Sequence, residues 1–210
     1  MRNRDWIPAL ALATLAAPAP AGVGLYDCLD VVRASTVPVS VFTIPDGTGH
    51  ALTGAFTLGG GSADASLAIT VVDQLNDPIA GFPAEDIYLE PQGETSLVFC
   101  AGGGIADAPT DAEGRTAFDE ALLGGGSLAY VADETWLQIG SYNCYSVRLD
   151  DVSVNSADID GDLVVDLTDV ILFAEDYWGT YDYRSDFHWD GQVNLSDLVL
   201  LSQGWGASCP

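Results

Sequence analysis

Two twelve-residue polar stretches near the C-terminus constrain this chain most. Residues 158–169 read DIDGDLVVDLTD, and 28 residues later residues 186–197 read DFHWDGQVNLSD. Each is followed by an apolar, helix-compatible run, Val170–Ala174 and Leu198–Leu201. Each run leads to a Trp-Gly pair, Trp178-Gly179 and Trp205-Gly206, where the glycine can end a helix. A unit repeated at fixed spacing is one supersecondary element used twice. The expected architecture from residue 156 onward is therefore a pair of loop–helix units.

The register within the loops has a chemical reason. A hard divalent cation takes six to eight oxygen ligands at about 2.3–2.6 Å. A single short loop wraps it when oxygens stand at positions 1, 3, 5, 7, 9 and 12. In the first loop these positions are Asp158, Asp160, Asp162, the backbone carbonyl of Val164, Asp166 and Asp169. Val165 is the apolar residue expected to pin this loop to its twin. In the second loop they are Asp186, His188, Asp190, the carbonyl of Gln192, Asn194 and Asp197. Imidazole nitrogen is softer than oxygen, so the expectation is two Ca2+ sites, the second weaker. Gly191 stands where the second loop must bend. Leu163 stands there in the first, and Gly161, two residues earlier, is expected to take that strain. Acidity alone does not single out these loops, because Asp and Glu are spread along the whole chain; the register does.

The preceding region alternates with period two. Val37, Val39 and Val41 alternate with Pro38 and Ser40; Leu67, Ile69 and Val71 alternate with Ala68 and Thr70; Val147 and Leu149 flank Arg148. Turn signals separate such runs: Pro45-Asp46-Gly47, Gly59–Gly61, Asn76-Asp77-Pro78, Gly102–Gly104, Asp111–Gly114 and Gly124–Gly126. Short strands punctuated this often predict a β-sandwich. The fold class expected is mainly β with a small α C-terminal module. The boundaries are 1–21 for an export signal, 22–155 for the sandwich and 156–210 for the loop–helix pair.

Two hairpins carry a resemblance. Residues 70–81 (TVVDQLNDPIAG) and 110–118 (TDAEGRTAF) resemble the paired hairpin motifs of bacterial Ig-like domains of the invasin/intimin type. That family is structural or adhesive and implies no catalytic residues. The duplicated loops over 156–206 resemble the dockerin type I repeat, which ends its calcium loop in Asp rather than Glu. That resemblance implies two bound calcium ions and docking onto a cohesin-like module; self-association, with the loop–helix pair meeting an Ig-like domain, is a further expectation. The family's cohesin contacts use Ser/Thr pairs and a Lys-Arg pair; this chain has Leu167-Thr168, Leu195-Ser196, Ala174-Glu175 and Ser202-Gln203 in their place.

Composition narrows the function. There are 31 Asp and Glu against six Arg and no Lys, a formal charge of −25. No basic patch is available to replace phosphate counterions, so nucleic acid is excluded as a partner. At the N-terminus, Arg2 and Arg4 precede apolar Ile7–Ala17 and the Ala19-Pro20-Ala21 cleavage pattern, which reads as a secretory signal. That run is too short to span a bilayer, so no membrane insertion is expected. Cys28, Cys100, Cys144 and Cys209 then form two disulfides, with three connectivities open. The only histidines are His50, expected at an exposed strand edge, and His188, and no nucleophile–base set stands out. Trp136, with Tyr142 and Tyr145, is a candidate glycan platform, and core packing is the commoner role for such a cluster. The expectation is a secreted, non-catalytic, calcium-binding protein of extracellular or cell-surface assembly. The alternative is a cohesin-docking or carbohydrate-binding accessory subunit of a polysaccharide-degrading complex.

Overall fold

The computed structural model describes residues 27–93, 95–130, 134–140 and 144–210. The expected signal segment and Tyr142 lie outside these. The described chain is mainly β, with two short α-helices near the C-terminus. The strands are β1 (Leu29–Arg33), β2 (Val39–Thr43), β3 (Ala55–Thr57), β4 (Gly61–Ala63), β5 (Leu67–Val71), β6 (Ile87–Gln92), β7 (Val98–Phe99), β8 (Arg115–Phe118), β9 (Gly124–Gly125), β10 (Ser127–Leu128), β11 (Glu134–Ile139), β12 (Val147–Leu149) and β13 (Val152–Ser156). The helices are α1 (Leu167–Trp178) and α2 (Leu195–Gln203).

The strands form four small sheets: β1-β5-β8, β10-β13-β2-β3-β4, β12-β11-β6 and β7-β9. All pairings are antiparallel except β13 with β2, which is parallel. The period-two runs bury alternate residues: Leu67, Ile69 and Val71 of β5 face one core, which they share with Val39, Val41, Ile87, Phe118, Leu128 and Val154. The two hairpins read from sequence lie side by side. The Val71 amide donates to the Gly114 carbonyl, and Ile79 donates back to Val71. Gly114 has φ +74, and its missing side chain leaves room for the Val71 carbonyl.

The glycine runs divide. Gly59–Gly60 and Gly102–Gly104 turn, as expected, but Gly124 and Gly125 are strand β9 and pair with Phe99 and Val98. Here glycine marks close approach rather than a turn: the Phe99 ring covers Gly124, and the Asp158 side chain abuts Gly125.

β2 is buried along its whole length. Val39 and Val41 point into the β core; Phe42 points the other way, into a second core with Ile44, Phe56, Ala157, Ile159, Val165, Phe173, Phe187, Trp189, Leu200 and Leu201. The C-terminal unit thus packs directly onto the outer face of the five-stranded sheet. Polar contacts register it. Tyr183 Oη lies 2.8 Å from Ser40 Oγ, and Asn155 Nδ2 donates to the Asp186 carbonyl at 2.8 Å. β13 passes into the first loop without a linker.

His50 is not on an exposed edge. It is half-buried between Phe42 and Phe56, with ring centroids 5.6 and 5.1 Å away. The disulfides pair Cys28 with Cys144 and Cys100 with Cys209. Two disulfides are compatible with an oxidising, extracellular setting. Among the described residues no helix is long and apolar enough to cross a membrane.

Candidate metal centre

The two loops repeat one backbone geometry. Position 4 and position 6 are left-handed in both: Gly161 (φ +77) and Leu163 (φ +71) in the first, Trp189 (φ +50) and Gly191 (φ +86) in the second. Each loop has one glycine for two such positions. Gly161 therefore does not relieve Leu163, contrary to the sequence expectation, and Leu163 adopts the strained conformation itself.

The first and last aspartates organise each loop, and all four are fully buried. Asp158 Oδ1 accepts from the Gly161 amide at 3.0 Å, and its Oδ2 from Leu163 at 2.7 Å. Asp186 Oδ1 accepts from Asp190 at 3.1 Å, and its Oδ2 from Gly191 at 2.9 Å. Asp169 accepts from Ile159 and Asp166, both at 2.7 Å. Asp197 accepts from His188 at 2.8 Å and from Asn194 at 2.9 Å. These carboxylates draw each loop closed around itself.

Positions 9 and 12 also start the helices. Asp166 and Asp169 form a capping box on α1, and Asn194 and Asp197 form one on α2. Sequence reading assigned these residues only a metal role; the D-x-x-D and N-x-x-D spacing ahead of an apolar run was the signal for the cap. Val165 is buried, but its backbone pairs with the chain after α2 rather than with the second loop. Its amide donates to the Ala207 carbonyl at 2.8 Å, and Gly206 donates to the Val165 carbonyl at 3.0 Å.

Asp158, Asp160 and Asp162 bring carboxylate oxygens within 4.8 Å of one another. Asp160, Asp162, Val164 and Asp166 lie toward solvent around buried Asp158. In the second loop Asp190 is half-buried, and its Oδ2 accepts from Asn194 Nδ2 at 3.0 Å; Gln192 is exposed. His188 packs edge-on against Phe56, with ring centroids 4.8 Å apart, and is backed by Gly60, where a side chain would collide with the imidazole. Its Nδ1 makes no hydrogen bond and lies 3.8 Å from Asp190 Oδ2. The Gly59 and Gly60 amides hold the Trp189 carbonyl, which seats this loop on the β3–β4 turn.

Burial raises the Asp158 carboxyl to about 7, and it also raises Asp169, Asp186 and Asp197 above the usual carboxylate range. Neighbouring aspartates add to the effect in each case. The one Arg of the C-terminal unit does not offset it. Arg184 makes a two-point ion pair with buried Asp176, Nε to Oδ2 at 2.8 Å and Nη2 to Oδ1 at 2.9 Å, and Ser185 Oγ donates to the same carboxylate at 2.6 Å. A desolvated carboxylate cluster without a basic partner fits a divalent cation, which would supply the missing positive charge. The N–H bonds leave lone pairs for it, since each carboxylate oxygen has two. The donor set is all oxygen in the first loop, as a hard ion requires.

Sequence reading missed what backs the loops. Tyr181 Oη donates to Asp186 Oδ2 at 2.9 Å, and the Gly126 amide donates to the Asp158 carbonyl at 2.6 Å. Trp136 is half-buried in β11, opposite Glu90 and Arg148. No family model matches the chain, and no curated protein or solved structure matches it significantly.

Proposed function

We propose that the protein is a secreted, non-catalytic calcium-binding protein that docks onto an extracellular protein partner through its C-terminal loop–helix pair. The observation that carries the reading is the equivalence of the two loops. In each, buried aspartates at positions 1 and 12 close the loop, and positive φ recurs at positions 4 and 6. Asp158, Asp160, Asp162, Asp166, Asp169 and the Val164 carbonyl would hold one Ca2+. Asp186, Asp190, Asn194, Asp197 and the Gln192 carbonyl would hold the second more weakly, with His188 drawn aside onto Phe56. The calcium supplies charge neutralisation and cross-links the loop.

Docking is supported by the outward face of the helices. Leu167, Ile171, Trp178, Leu195 and Val199 are all more than half exposed there. A groove of about 310 Å³ runs between the helices, floored by Phe173 and Tyr177. An apolar face on so acidic a protein is a feature of interaction surfaces.

The test is calorimetric titration of the full chain with Ca2+, repeated with Mg2+. Two calcium equivalents, one tighter, with a rise in melting temperature reversed by chelator, are expected. No heat and no thermal shift at millimolar Ca2+ would overturn the reading.

A further inference from the structure

The start and the middle of the first loop are both tied to one corner of the β region, the β7–β9 pair. Val98 and Phe99 of β7 pair with Gly125 and Gly124 of β9. The residue after β9, Gly126, donates its amide to the carbonyl of Asp158 at loop position 1. The residue after β7, Cys100, is bonded to Cys209. Cys209 directly follows the segment Gly206–Ser208, which pairs with loop positions 7 and 8: Val164 bridges Ser208, and Val165 exchanges backbone bonds with Gly206 and Ala207. Cys100 is itself fixed, buried in the β region with its amide donating to the Leu123 carbonyl at 3.0 Å. The second loop has none of these ties; it rests on the β3–β4 turn and on β13.

We infer that the Cys100–Cys209 disulfide is a positioning element for the first loop: it sets the cation affinity of that loop, and a thiol reductant that opens it lowers that affinity while leaving the second loop unchanged. This rests on the calcium reading above. The segment after α2 lies outside the helices and strands and meets the first loop through the Val164–Ser208 bridge and the Val165 backbone bonds. Freed from Cys100, it holds the loop only through a few backbone bonds, and the Val164 carbonyl is no longer fixed against the Asp158 end. Removing groups that orient a metal's ligands typically costs about 10–100-fold in affinity. In the opening step a dithiol delivers two electrons and two protons to the Sγ–Sγ bond. It yields the Cys100 and Cys209 thiols and the reductant's own disulfide.

Linkage makes the inference testable in both directions. In the first, the full chain carrying Cys100→Ser and Cys209→Ser is titrated calorimetrically with Ca2+ beside the wild type and a Cys28→Ser/Cys144→Ser control. About a tenfold or greater weakening of the tighter site is expected in the first pair alone. In the second, the unaltered chain is equilibrated with dithiothreitol, in Ca2+ or in chelator, and the thiols are trapped and located by mass spectrometry. Because coupling is reciprocal, Ca2+ should shift Cys100–Cys209 toward the oxidised form by the same factor and leave Cys28–Cys144 unmoved. The second measurement needs no variant to fold. Reduction of Cys100–Cys209 that is equal with and without Ca2+, in a chain that does bind Ca2+, overturns the inference. A wild-type chain that binds no Ca2+ overturns the calcium reading itself.

Discussion

The carboxylate of Asp158 fills the space that a side chain on Gly125 would need. Position 1 of the first loop is thus moulded against β9, and the absence of a Cβ there is a requirement of the site. Gly125→Ala should force one of them to move. A destabilisation of about 1–3 kcal/mol is expected from overpacking, together with weaker Ca2+ binding at the tighter site. Chemical denaturation and calorimetry of the same variant check both.

The raised carboxyls give the calcium-free protein an unusual pH dependence. Asp158 holds its proton in the folded state up to about pH 7, whereas the unfolded chain releases it near 3.8. The folded state therefore binds more protons across that window, and stability falls as pH rises through it. The contribution is fully present below 3.8 and is lost above about 7. Asp169, Asp186 and Asp197 act in the same direction. In chelator, melting temperature should be higher at pH 5 than at pH 8. In saturating Ca2+ the difference should shrink or reverse, because the ion replaces the protons. A melting temperature in chelator that rises from pH 5 to pH 8 would contradict this assignment.

Leu163 sits at φ +71, where a Cβ costs roughly 1–2 kcal/mol and glycine nothing. Leu163→Gly should stabilise the chain by about 1 kcal/mol in urea denaturation. Gly161→Ala should do the reverse, since its added methyl would also press on the Ser96 carbonyl.

Asp176 is buried and neutralised by Arg184, which ties the end of α1 to the turn before the second loop. Arg184→Met leaves that carboxylate uncompensated and should cost about 3 kcal/mol. Ser185→Ala removes one hydrogen bond to it and should cost about 1 kcal/mol. The two effects share a partner and should be non-additive when combined, which a double-mutant cycle measures.

Much of this was legible in the chain itself. Period-two burial located Leu67–Val71 and Val147–Leu149 as strands, and register located the paired loops with Asp158 and Asp186 at their heads. Each of those signals is local. What escaped is what depends on a distant neighbour. Gly124 and Gly125 read as a turn because glycine usually turns, but Phe99 and Asp158 sit where their side chains would be. Val165 shares a core with Phe187 and Trp189 of the twin loop, but its backbone pairs with Gly206 and Ala207, far along the chain. His188 and His50 both pack against Phe56 of β3, contacts between distant or loop residues that no local pattern announces.

β2 carries a consequence for anyone dividing this molecule. Its two faces belong to different cores, and the second is roofed mostly by residues beyond 156, with Tyr130 and His50 at its margin. Cutting the chain at the end of β13 would strip Phe42, Ile44 and Phe56 of their cover and leave a greasy sheet in water, the usual starting point for clumping. The strand that looks most interior to the β region thus owes the burial of its outer face largely to the C-terminal loop–helix pair.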